Sequence, residues 1–249
     1  MEENQLIITT NDTNEKFSVI IYPITIWLSI FPIISLIMIF FQYFFYPIYK
    51  FNPLILIIIL PLLMLFYYVL FILNLVFICK LLLIFLNLIN KPKEGIFKRN
   101  IRNSDYFFFC LRKTIKKLLH RVYNYFPLPW AKILAFKLSN IKIPTSTGVL
   151  DSYIDTDFIE FGKETILGEG SIVMSSMILG DFLFIKKVIL KDGCTIGAYS
   201  VITPGTVVEK GAILGMGSYT EINQHLEEGW IYIGRPAEKL KKIDSNNDE

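Results

Sequence analysis

The chain has two histidines, His120 and His225. Imidazole is the side chain whose ordinary pKa lies nearest neutral pH, which suits it to take a proton from a hydroxyl or an amine. His120 stands among Arg112, Lys113, Lys116, Lys117 and Arg121, and there it reads as one more surface cation. His225 ends the segment Tyr219-Thr220-Glu221-Ile222-Asn223-Gln224-His225. It is the candidate general base; the alternative is a loop histidine with no role. An acidic cluster, Asp155-Thr156-Asp157 with Glu160, would either orient a base or acceptor, or sit capped and solvated at the end of an element. Cys79, Cys110 and Cys194 are isolated and odd in number, which argues for reduced structural thiols rather than disulfides or a Cys-rich metal site. No metal is expected. No phosphate-binding Gly-Lys-Ser/Thr motif, nucleophile elbow or nucleic-acid module is visible, so nucleic acid is not an expected partner.

The element that must position these groups is a repeat. Taken in steps of six, the chain reads Ile143, Val149, Asp155, Phe161, Leu167, Val173, Leu179 and Ile185, then, one residue short, Leu190, Ile196, Ile202, Val208 and Leu214. Glycine follows at Gly162, Gly168, Gly180, Gly197 and Gly215. A six-residue period is the mark of a β-helix, in which three hexads close one triangular coil. The first residue of each hexad points inward and stacks on its counterpart in the next coil, roughly 4.8 Å away. Glycine after it suits the sharp corner. An ordinary antiparallel sheet would alternate with period two instead. Asp155 falls on an inward position, where an unpaired charge is costly.

Two local strings give this repeat a family likeness. Ile196-Gly197-Ala198-Tyr199-Ser200-Val201-Ile202-Thr203-Pro204-Gly205-Thr206 and Ile233-Gly234-Arg235-Pro236-Ala237-Glu238-Lys239 are similar to segments of the hexapeptide-repeat acyltransferases. The resemblance covers roughly residues 141–243. It implies a short left-handed parallel β-helix over residues 143–222 with a C-terminal tail from 223, a homotrimer, and acyl-CoA as donor in a groove between neighbouring copies. A histidine would take the proton from the acceptor, and backbone amides would stabilise the oxyanion. Carried over, Gly197, Ala198, Ser200 and Pro204 would line the groove. Gly215 and Arg235-Pro236-Ala237 would close it, with Arg235 facing a phosphate. The plainer reading is that these glycines and prolines only make corners. The chain departs from the family where histidines stand inside the coils: Ser175-Ser176 and Tyr199 occupy those places, which leaves His225 as the base. A γ-type carbonic anhydrase shares this coil but needs three histidines on zinc, and two cannot supply them. The implied activity is transfer of an acyl group to a hydroxyl or amine acceptor. The competing class is a trimeric scaffold that has lost its base.

The rest of the chain concerns a membrane. Of the 249 residues, 53% are hydrophobic and 21 are Phe, with net charge +3, and the apolar residues crowd the first hundred positions. Residues 1–18 read as a disordered start, with no cleavable signal peptide. No charge occurs from Val19 to Tyr49, and Leu54 to Ile89 is apolar again around Asn74, Lys80 and Asn87. About 20 apolar residues span a bilayer as a helix, so residues 19–90 carry two spans, with a third after Lys80 as an alternative. Lys91, Lys93, Lys98, Arg99 and Arg102 follow at once, which places the following part on the cytoplasmic side of a multi-pass cell-membrane protein. In residues 91–142, Phe107, Phe108, Leu111, Ile115, Leu118, Leu119 and Val122 share one helical face and the cations the other. Such a helix lies in the membrane surface with its cations at the headgroups, or packs on the protein's own domain. Lys80, Lys91-Pro92-Lys93-Glu94-Gly95, Tyr106-Phe107-Phe108 and Arg112, followed by a basic helix and a β-helix, are together similar to the membrane-bound C-terminal region of some non-ribosomal-peptide-synthetase-like proteins. That likeness implies a stand-alone version with an adenylation or carrier protein as partner.

Overall fold

The computed structural model describes residues 8–9, 15–124, 136–137, 141–149, 151–155 and 157–243. Thr156 and most of the segment 126–142 lie outside the described residues. Strand β1 (Ile8–Thr9) precedes a long helical run made of α1 (Glu15–Phe40), a π-helical turn (Phe41–Phe45) and α2 (Tyr46–Phe51). Asn52 breaks it in an extended conformation and restarts it: its side chain accepts from Leu54 N at 3.0 Å, and Pro53 opens the next helix, where a missing N–H costs nothing. Helix α3 (Pro53–Ile89) then runs without interruption through Lys80. The stretches Val19–Phe51 and Ile57–Ile89 are each long and apolar enough to cross a bilayer, by length and composition. The two helices touch, and Asn74 Nδ2 donates to Ser29 O at 2.9 Å.

Strand β2 (Gly95–Lys98) and helix α4 (Ser104–Asn124) lead toward the repeat. The apolar face of α4, with Ile115, Leu118 and Leu119, packs on Ile72, Leu75, Val76, Cys79 and Leu83 of α3. Its opposite face does not meet headgroups as one expectation had it: Arg112, Lys113 and Lys116 are buried. Helix α4 is held between the apolar helices and the β-domain.

The β-domain is a coil of parallel strands. Its strands are β3 (Gly148–Val149), β4 (Tyr153–Ile154), β5 (Ile159–Phe161), β6 (Ile166–Leu167) and β7 (Ile172–Val173), then a hairpin of β8 (Ser176–Leu179) and β9 (Phe182–Ile185), then β10 (Val188–Leu190), β11 (Thr195–Ile196), β12 (Val201–Ile202), β13 (Val207–Val208), β14 (Ile213–Leu214), β15 (His225–Leu226), β16 (Trp230–Ile233) and β17 (Glu238–Lys242). The chain visits three walls in rotation. The first stacks β5, β10, β13 and β15; the second β3, β6, β11, β14 and β16; the third β4, β7 and β12. Every pairing within a wall is parallel except the closing β16–β17 pair. Leu167, Ile196 and Leu214 are in register with Tyr232 on the second wall, and all four are buried in one continuous core. Burying each aliphatic side chain contributes about 1.5–3 kcal/mol.

Four details depart from the sequence reading. Leu179 and Ile185 keep the spacing but belong to the antiparallel β8–β9 hairpin, which leaves the coil; Gly180 makes its tip at φ +56°. At the third wall, Ile154 rather than Asp155 pairs with Val173 and enters the core. Asp155 is also buried, so it is not a solvated end cap. The coil does not stop at residue 222, because β15 and β16 continue the first and second walls. Residues 1–18 are not wholly unstructured either: Ile8 and Thr9 pair with Leu179 and Ile178, and α1 begins at Glu15. Strand β2 pairs with β9 on the other edge, so a four-stranded sheet β1-β8-β9-β2 joins both ends of the helical segment to the coil.

Candidate functional site

His225 sits on the outward side of β15, beside Val207. Its Nε2 lies 2.9 Å from Glu209 Oε1, and the other Glu209 oxygen meets Lys191 Nζ at 2.6 Å. Lys191 and His225 hold the Glu209 carboxyl below the usual carboxylate range. A carboxylate on one ring nitrogen fixes the tautomer and leaves the other nitrogen as the base. The imidazole is half-exposed, so it is open to an acceptor. The signal that finds Glu209 is the coil period: residues about 18 apart share a wall, and Glu209 precedes His225 by nearly one coil.

The other candidate residues fall on two corners. Gly197, Ala198, Gly215 and Arg235 lie where the second wall turns into the third. A β-carbon on Gly197 would come within 2.5 Å of Met216 N, so this glycine is required by coil-to-coil approach rather than by its backbone angles. Arg235 Nε donates to Gly217 O at 2.6 Å, and the Arg235–Pro236 bond is cis. Tyr199 and Met216 stand exposed beside them. Pro204 lies where the third wall turns into the first, one coil beneath the His225 segment, with Asn223 N donating to Pro204 O at 3.1 Å. Three expected groove residues are buried: Pro204, Ser200, whose Oγ donates to Gly197 O at 2.5 Å, and Ala237, which packs in the core. Small side chains fill the interior where the chain bends sharply, which leaves them no surface to offer a groove. Under Pro204, the hydroxyls of Thr203, Thr206 and Thr220 bond to one another and to Glu221 O, so Thr220 takes the inward place that an aliphatic residue fills elsewhere.

Ser175 and Ser176 form a second polar centre, where the hairpin leaves the coil. Ser176 Oγ and Ser176 N both donate to Asp155 Oδ2. Ser175 Oγ donates to Asp157 O. From α4, Lys113 Nζ lies 3.9 Å from Asp155 Oδ1 and 3.5 Å from Ser176 Oγ, and Lys116 Nζ lies 2.5 Å from Asp157 Oδ1. Serine, lysine and aspartate together can build a nucleophile. Here Ser176 is 3% exposed and its hydroxyl is committed to Asp155, so the cluster holds rather than reacts. Burial lowers the Arg112 guanidinium, opposed by Asp157 and Asp105. His120 is half-buried with its ring edge-on to Phe136 at 4.7 Å, not a free surface cation. Among the described residues, no group of three or more His, Cys, Asp or Glu is placed to hold a metal ion.

No protein-family model matches the chain. A delta-poly-L-ornithine synthetase of Acinetobacter baumannii is 24% identical over 127 residues, half of this chain and 9% of that protein. A mitochondrial gamma carbonic anhydrase of Arabidopsis thaliana is 23% identical over 113 residues, 45% of this chain and 39% of that protein. The chain thus spans well under half the length of either relative. Among solved structures, a hexapeptide-repeat-containing acetyltransferase of Vibrio cholerae aligns over 55% of this chain and 93% of its own, with 12% identity and a TM-score of 0.46. A galactoside acetyltransferase in complex with coenzyme A aligns over 56% and 84%, with 12% identity and a TM-score of 0.44.

Proposed function

We propose that the protein is a membrane-anchored acyltransferase of hexapeptide-repeat type, moving an acyl group from acyl-CoA to a hydroxyl or amine acceptor near the bilayer. The observation that carries the reading is the half-exposed His225 with its Nε2 on Glu209, one coil above the Pro204 corner. The free ring nitrogen takes the acceptor proton. The acceptor attacks the thioester carbon, and the CoA thiolate leaves. The coil is left-handed and trimerises, which brings Ala198, Tyr199, Met216 and Arg235 to a groove between copies. Residues 19–90 anchor it, 91–142 couple anchor to coil, and the coil from 143 faces the cytoplasm. Strands β1 and β2 flank the two helices in sequence and join one sheet, which supports an even number of spans. An adenylation or carrier protein would supply the acyl group.

The test uses the purified full chain in detergent. Acyl-CoA binds, and His225→Ala lowers turnover by about 10²–10⁴-fold with binding retained, the usual worth of a positioned general base. Turnover unaffected by the substitution removes His225 from the mechanism. Absence of acyl-CoA binding favours the second reading, a trimeric scaffold. The engaged, buried Ser175 and Ser176 at the family's histidine places favour that reading.

A further inference from the structure

We propose that a cleft where α3 meets the first wall of the coil binds the headgroup of an ethanolamine phospholipid. The cleft has a volume of about 300 Å³. Its lining includes Asn87, in the last turn of α3, next to Leu88 and Ile89, which are 78% and 55% exposed. Apolar side chains bare to the end of a spanning helix put the bilayer surface at this level, so this site rests on the membrane reading of α3.

The lining offers both halves of a zwitterion. Asn87 Oδ1 is buried and has no hydrogen-bond partner among the described residues. Leaving such an acceptor bare is costly, and a turn of the Asn87 side chain toward the cleft would let an ammonium N–H satisfy it. Glu94 lines the same cleft; its Oε2 accepts from the backbone amide of Lys187 at 3.0 Å, a bond that leaves its charge uncancelled. For the phosphate there are Lys142 and Lys187, which share one carboxylate, Glu160, at 2.5 and 2.7 Å. Both lysines and Glu160 line the cleft.

Behind Pro92, Asp157 and Phe158 lies a recess of about 10 Å³, near the least room that holds one water. Arg112 Nε and Asn90 Oδ1 are buried at this recess without partners among the described residues. The Asn90 amide cannot be turned the other way, because its nitrogen donates to Asp105 Oδ1 at 3.0 Å. A water there would serve both groups and extend the site inward.

The chemistry discriminates among headgroups. Choline has no N–H to give Asn87 Oδ1, and glycerol brings no cation to Glu94. The experiment reconstitutes the full chain in nanodiscs of equal phosphatidylethanolamine, phosphatidylcholine and phosphatidylglycerol, then identifies the retained lipid by native mass spectrometry. Phosphatidylethanolamine should be enriched over phosphatidylcholine by about fivefold, the worth of roughly one hydrogen bond. The enrichment should vanish in Asn87→Leu and fall in Glu94→Gln, an exposed position whose change leaves the fold intact. Equal retention of the two lipids, or enrichment unchanged in both variants, overturns the site. If soluble phosphoethanolamine shields Lys142 and Lys187 from amine labelling while the lipid does not, the lipid as source is overturned. An alkaline carbonate wash separates the two readings. A chain that washes off membranes loses the anchor and the lipid site together; a chain that stays but shows no lipid preference loses the site alone.

Discussion

The two ends of the coil are built on different principles. From Leu190 to Tyr232 the walls stack at a constant 18 residues, and the interior is a ladder of Leu, Ile and Val broken by the threonine cluster. From Tyr153 to Ile185 the period slips by one at Ile154 and a hairpin leaves the coil. There buried ion pairs replace part of the apolar packing. The regular end buries its ladder within its own coils. The irregular end is complete only with α4 against it. Coupling to the helices is therefore written into the coil's irregularities, while the candidate chemistry lies on its regular end.

The sharpest way to break this contrast is Lys116→Ala. It leaves the partly buried Asp157 without its lysine and should lower stability by an amount approaching the roughly 3–5 kcal/mol of a broken buried pair, read by denaturant unfolding in micelles. Replacing both residues with apolar side chains should restore most of the loss, since a buried pair is worth little against good packing. Next is Gly197→Ala in the regular end, where the added carbon meets backbone 2.5 Å away; overpacking of this kind costs about 1–3 kcal/mol. Ile202→Val, at an inward position with no exposure, should cost about 0.5–1.5 kcal/mol, and its effect should be the same with or without Lys116.

The smallest effect is one in which both ends behave alike. Lys142 and Lys187 hold Glu160 low, and Lys191 and His225 hold Glu209 low. A carboxyl with a depressed folded pKa stabilises above its ordinary value of 4.5, and the contribution is lost as pH falls through the folded value. Surface pairs contribute about 0–1 kcal/mol each. Unfolding midpoints of wild type and Glu209→Gln should therefore differ at pH 7 and converge in acid.

The coil was legible because an inward ladder imposes its period on the sequence whatever the outward residues are. The hairpin was not, because Ile185 faces a second core with Tyr106, Phe109 and Cys110 while Leu179 sits half-buried on the hairpin, and the two happen to preserve the six-residue step. The destination of the α4 cations was equally hidden. Lys116 and Asp157 are 41 residues apart, and nothing local marks either as the other's partner. His225 could be found by residue type alone, but only the coil geometry brings Glu209 to it.

The sheet that ties β1 to the hairpin has a consequence in time. Thr9 pairs with Ile178, which leaves the ribosome about 170 residues later. At roughly 5–20 residues per second, the first strand waits on the order of 10–30 seconds for its partner. Both apolar helices are complete at Ile89, about halfway through that interval, so they must find their own surroundings before the leading strand can be fastened down.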